Sequence, residues 1–256
     1  VPSRRPRTRH LPRAETVVRP LDRHLVPAAA ASFIFDLDGV IVDTRELVRD
    51  LWRRFAKPRG VRLSDDEIGR RIIGRRTADI LVDVFAIGRD EAERMAATGL
   101  DDRSAEIVAG VALPEIPGAS AFVLAAADRG TIALASSASR ANVDAALSRL
   151  GLAEAFTVVI ASRDIANGKP APDAYLAAAS ALGVEPAMTV VFEDSRSGLA
   201  AARAAGASVV AIATNERADT LAPLADLVLA DFQGVDPATV LRRLGFAGEQ
   251  GQTTGS

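Results

Sequence analysis

Six short apolar runs recur along the chain with helix-like segments between them: Phe33–Phe35, Thr131–Ala135, Val158–Ala161, Thr189–Phe192, Val209–Ala213 and a shorter one at Leu227–Leu229. The helix-like segments include Asn142–Leu150, Asp173–Leu182 and Ser197–Ala205. Near-continuous apolar strands alternating with helices call for a parallel sheet covered on both faces. The alternation breaks once. The long interval between the first two runs holds no convincing strand and reads as helices. Leu47, Val48, Leu51, Trp52 and Phe55 make an apolar stripe at helical spacing, with Trp52 and Phe55 expected in a core. Ser64-Asp65-Asp66-Glu67 is a capping box opening a second helix whose buried face is Ile68, Ile72 and Ile73. Ala78–Phe85 and Asp90–Ala97 read as two more, and Pro114 and Pro117-Gly118 mark the return to the sheet. The expected fold is therefore α/β, a Rossmann-like parallel sheet with an inserted α-helical module.

The two ends read differently from the middle. Residues 1–27 carry seven Arg against Glu15 and Asp22, are rich in Pro and show no period, so a disordered basic tail is expected. No aromatic residue accompanies that charge, and no nucleic-acid partner is expected. Pro27 interrupts the apolar stretch that begins at Leu25 and runs into Asp36, which argues against a signal peptide. No apolar run reaches membrane-spanning length, so a soluble, cytoplasmic protein is expected. Gly245–Ser256 reads as a loose polar tail.

Composition narrows the chemistry. The chain has no cysteine, and its two histidines, His10 and His24, lie in the basic tail. A thiolate nucleophile, a cysteine zinc site, a Ser-His-Asp triad and a histidine-bound metal are then out of reach. Catalysis falls to carboxylates, hydroxyls, lysine, backbone dipoles or an oxygen-bound ion. The first run ends in Asp36-Leu37-Asp38-Gly39, whose two carboxylates share a face of an extended chain. Two acids that close repel unless a cation sits among them, although a pair of loop caps is the alternative when they are taken alone. The second run ends at Ser136-Ser137, where hydroxyls and backbone N–H groups are open to an anion. Lys169, one of two lysines among 29 arginines, follows the third run, and Glu193-Asp194 ends the fourth. Acid pair, hydroxyl, lysine and acid pair at four successive strand ends suit a site rather than a core.

This order of motifs resembles the haloacid dehalogenase superfamily, over about residues 32–230. The resemblance implies a core of residues 31–43 and 114–246, a helical cap of 44–113, and tails at 1–30 and 247–256. It implies that Asp36 is a nucleophile forming an aspartyl phosphate, and that Asp38 is the general acid and base. Ser136 and Lys169 would hold the phosphoryl oxygens. Mg²⁺ would be bound by Asp36, the carbonyl of Asp38, Asp194 and, less directly, Glu193, with no organic cofactor. The expected partner is a small phosphorylated metabolite, and the chain is expected as a monomer or weak dimer.

Within the superfamily, Asp38 and Glu193-Asp194 argue against a dehalogenase, and the only cap lysine, Lys57, does not match the phosphonatase position. The β-phosphoglucomutase-like branch is nearest, yet Val48 stands where its mutases carry a histidine. Plain hydrolysis of sugar or polyol phosphates is the expected activity, with a sugar phosphomutase as the alternative. A phospho-receiver domain or an inactive sugar-phosphate-binding protein are the readings outside catalysis. Ser137, Arg75, Arg76 and Glu46 are the candidates for contacts to the substrate.

Overall fold

A computed structural model describes residues 31–97 and 114–246. The expected tails at 1–30 and 247–256, and the stretch 98–113 of the expected cap, lie outside the described residues. The strands are β1 (Ser32–Phe35), β2 (Ile132–Ala135), β3 (Val158–Ile160), β4 (Thr189–Glu193), β5 (Ser208–Ile212) and β6 (Leu227–Leu229). All neighbours are parallel, in the order β3-β2-β1-β4-β5-β6. Every expected strand is present with its ends within a residue or so of the apolar run, because each run is the length of chain that can be buried on both faces.

Alternation along the strands divides the core in two. Phe33, Phe35 and Phe192 point to one face and join Phe122, Phe156 and Phe232 there. Ile34, Val191 and Val209 point to the other and meet the alanine-rich helices 173–182 and 196–205. Phe35 stacks on Phe192 across the β1–β4 pair at 4.8 Å between ring centroids, so the two central strands are locked by aromatic area as well as by hydrogen bonds.

Between β1 and Pro114 the described residues form four α-helices, α1 (Arg45–Ala56), α2 (Asp65–Arg71), α3 (Thr77–Phe85) and α4 (Arg89–Met95). The expected capping box is formed: Ser64 Oγ accepts the Glu67 N–H at 3.3 Å while Glu67 Oε2 accepts the Ser64 N–H at 2.9 Å. These helices bury a hydrophobic cluster of their own, including Trp52, Ile68, Ile72, Ile80 and Leu81, with Phe55 and Phe85 packed on Trp52. No helix among the described residues is long and apolar enough to cross a membrane.

Candidate active site

The chain builds β1, β2 and β3 outward on one side, then returns to build β4, β5 and β6 on the other. The carboxyl ends of β1, β2 and β4 therefore meet at the point where the strand order reverses, the usual place for a ligand crevice in an open α/β sheet. Register makes this concrete. Phe35 lies opposite both Leu134 and Phe192, so the residues just beyond, Asp36, Ser136 and Glu193-Asp194, arrive at one edge together.

Lys169 is buried at the centre of that edge. Its Nζ donates to Asp36 Oδ1 at 2.8 Å, Glu193 Oε1 at 2.5 Å and the Ala135 carbonyl at 3.3 Å, which uses all three ammonium hydrogens. A planar guanidinium could not divide its donors among three such directions in so small a space. The neighbouring carboxylates raise the Lys169 pKa against the opposing effect of burial, so it stays charged. Tyr175, the only tyrosine in the chain, donates its hydroxyl to Glu193 Oε1 at 2.7 Å. Glu193 Oε2 accepts the N–H groups of Asp194 and Ser195 and the Ser195 hydroxyl. Both oxygens of Glu193 are thus engaged. Burial raises its pKa, but Lys169 outweighs that and holds it below its ordinary value, as an anion. Its carboxylate lies against Gly198, where a Cβ would collide with it.

The other acids are in a different state. Asp36 is pushed up to about 7, by burial first and then by the charges of Glu193 and Asp38, with Lys169 pulling the other way. Burial raises Asp38, while the Thr44 hydroxyl hydrogen-bonded to it works against the rise. Asp194 stands well above the ordinary carboxylate range through burial and the charges of Glu193 and Asp36. Its Oδ2 takes hydrogen bonds from the Asn215 amide and, at 3.4 Å, from Thr214, yet its Oδ1 is buried without a partner. Gly39, at φ +76°, closes the 37–42 turn over this carboxylate, and a Cβ there would strike it. One ligand oxygen from each of Asp36, Glu193 and Asp194 falls within a span of 4.8 Å. Crowded, buried, partly orphaned carboxylate oxygens with no nitrogen or sulfur among them fit a hard divalent cation. Asp36 and Asp194 have oxygens to spare for it, whereas those of Glu193 are already taken.

Ser136 is buried, and its Oγ accepts the Ala138 N–H at 3.1 Å. A cleft of about 140 Å³ opens above Asp36 and Asp38, between the sheet edge and the helices. Ser137 also lines it beside Asp36 and Asp38, and its hydroxyl donates to the Gly74 carbonyl in the helical module at 2.9 Å. Of the cap residues singled out from the sequence, Arg75 lines this cleft, with its guanidinium also bound to Asp83. Arg76 does not reach it. It forks onto Asp79 and donates to the Ile165 carbonyl at 3.3 Å, beside Gly168. Glu46 is on the solvent side, paired with Arg49. Helical spacing explains both: a charged turn has several ways to face, and the sequence does not say which side chain wins the cleft.

The Arg76–Asp79–Arg89 cluster presses the helices onto the loop that carries Lys169. Burial raises the Asp79 pKa, but hydrogen bonds from Arg76 and Arg89 outweigh it and leave the carboxyl below its ordinary value. Asp79→Asn is expected to cost about 1–2 kcal/mol, since solvent reaches Arg89 and screens its share. That is a fall of about 2–8 °C in melting temperature near neutrality. A depressed carboxyl contributes its full stability above its unfolded value, about 3.8, and loses it as the pH falls through the lower folded value. The gap between variant and parent should therefore be full near neutrality and narrow progressively on the acid side of 3.8. Thermal melts near neutrality and on that acid side check this.

A family model described as haloacid dehalogenase-like hydrolase matches residues 31–206. Validoxylamine A 7'-phosphate phosphatase of Streptomyces hygroscopicus subsp. limoneus is 33% identical over 210 residues, which are 79% of this chain and 94% of that protein. Fructose-1-phosphate phosphatase YqaB of Escherichia coli is 32% identical over 191 residues, 70% of this chain and 95% of that one. The crystal structure of CbbY from Rhodobacter sphaeroides in complex with phosphate superposes with a TM-score of 0.67 at 25% identity, over 80% of this chain and 96% of that chain.

Proposed function

The chain belongs to the haloacid dehalogenase-like hydrolases, and from that we propose a Mg²⁺-dependent phosphatase of small phosphate monoesters that works through a phosphoryl-aspartate on Asp36. Phosphorylated carbohydrates, for which its relatives are named, are among the substrates in this reading. The observation that carries the reading is the Asp36 carboxylate, held by Lys169 at the floor of a cleft beside an Asp194 oxygen that has no partner.

In this reading Asp36 attacks phosphorus as the P–O bond to the leaving alcohol breaks. Asp38, which lines the same cleft and has its pKa raised by burial, delivers its proton to the departing oxygen. Water then attacks the phosphoryl-aspartate, returning a proton to Asp38 and releasing inorganic phosphate with Asp36 restored. Lys169 is fixed beside Asp36 before substrate arrives, where its charge favours the phosphoryl oxygens. Ser136 donates its hydroxyl hydrogen to no partner among the described residues and supplies a second contact to the transferred group. Asp36, the Asp38 carbonyl and Asp194 would hold the metal, which supplies positive charge to the transferring phosphoryl group. Glu193 acts through Lys169 instead of as a ligand. Residues 44–113 act as the cap over a core of 31–43 and 114–246. Val48, in the cleft wall, offers no proton-transfer group of the kind a phosphomutase would need, which favours hydrolysis.

Removal of divalent metal with EDTA should abolish release of phosphate from p-nitrophenyl phosphate, and added Mg²⁺ should restore it. Binding only to the folded state should also raise the melting temperature, by the equivalent of about 2.7 kcal/mol at a hundredfold excess over Kd. Asp194→Asn should lose that rise. Undiminished turnover in EDTA would remove the metal from the proposal.

A further inference from the structure

The leaving group of an ester seated on Asp36 must lie against the helical wall of the cleft, and that wall is chemically unlike the floor. Leu47, Val48, Leu51 and Trp52 of α1, with Ile72 and Ile80, present carbon to the cavity. Leu47 and Leu51 are half-buried and belong to none of the three hydrophobic clusters among the described residues, so an entering skeleton can cover them. The nearby polar groups are committed elsewhere. Thr44 holds Asp38, Ser137 holds the Gly74 carbonyl, and Arg45 holds Asp43 and the Thr214 carbonyl. Among the described residues that line the cleft, only Arg75 Nε, Asn142 Oδ1 and Asn215 Oδ1 are buried polar atoms without a partner, one donor and two acceptors.

A hydroxyl that leaves water for such a wall needs a partner there, and each one left without costs roughly tenfold in affinity. A polyol or hexose carries more hydroxyls than these three open polar atoms can satisfy. An apolar skeleton, by contrast, gains from covering Leu47, Leu51 and the Trp52 edge. Resting on the phosphatase reading of this same cleft, we infer that its preferred ester has a leaving alcohol with a contiguous apolar face, an aryl or alkyl skeleton bearing few hydroxyls. The preference sets it apart from relatives named for a fully hydroxylated sugar.

Two measurements test this. The first compares kcat/KM for benzyl phosphate with that for fructose 1-phosphate and sorbitol 6-phosphate, under the same Mg²⁺. Benzyl phosphate should lead by about tenfold or more, and Leu51→Asn should shrink that lead. The second follows the emission of Trp52, the only tryptophan in the chain, which should respond to benzylphosphonate and not to inorganic phosphate alone. A lead below about threefold with Trp52 unmoved overturns the inference while leaving the phosphatase reading in place. No turnover of any ester takes down that reading, and this inference falls with it.

Discussion

Asp36→Asn should reduce turnover of p-nitrophenyl phosphate by roughly four orders of magnitude or more, as expected when a covalent nucleophile is removed. The amide has the same shape and retains an oxygen for Lys169, and Lys169 keeps Glu193 and the Ala135 carbonyl. Removing one of four crowded acids also relieves repulsion, because Asp36 is raised by burial and by the charges of Glu193 and Asp38. The variant should therefore melt within a few degrees of the parent, which separates lost chemistry from lost structure. Rapid acid quench of the parent during turnover should leave phosphate covalently on the chain, and the variant should show none. Full activity in Asp36→Asn would refute the nucleophile and, with it, the mechanism above.

Lys169→Met is the opposite kind of change, damaging fold and chemistry together. The methionine fills much of the same space but leaves Glu193, buried and anionic, with no cation, and takes the same partner from Asp36. Breaking a buried pair from one side costs about 3–5 kcal/mol. For a chain of this size that is a fall of about 6–20 °C in melting temperature. The double variant Lys169→Met/Glu193→Gln should recover part of the loss, since no uncompensated charge then remains. Activity should stay lost, because nothing offsets the charge arriving with the phosphoryl group. If the single variant melts like the parent, the three-way contact at Nζ does not hold the site together as described.

Much of this was legible in the sequence. The strands were, because a strand buried on both faces needs an unbroken apolar run, and Phe33-Ile34-Phe35 and Thr189–Phe192 offer little else. The acids were, because Asp36 and Glu193-Asp194 stand immediately after such runs, where burial without purpose would be costly. Lys169 stood out through its rarity among arginines. What was not legible depends on how distant segments meet. Nothing local in Asp173-Ala174-Tyr175 says that the tyrosine hydroxyl reaches Glu193, and nothing marks Asn215 as the residue bound to Asp194. A rule that every residue just past a strand end deserves scrutiny would have found Asn215, three positions beyond β5. Arg75 and Arg76 are neighbours of identical chemistry, and only the packing of α3 against the 165–168 loop decides that one lines the cleft and the other closes a latch.

The contact between Lys169 and Asp36 spans 133 positions of chain. At a ribosomal pace of roughly 5–20 residues per second, about ten seconds separate the two in synthesis. For that time the middle strand has neither its cation nor β4, its partner along one side. The nascent protein therefore has reason to keep this central strand unfinished until late, and that is the interval in which a chaperone would have most to hold.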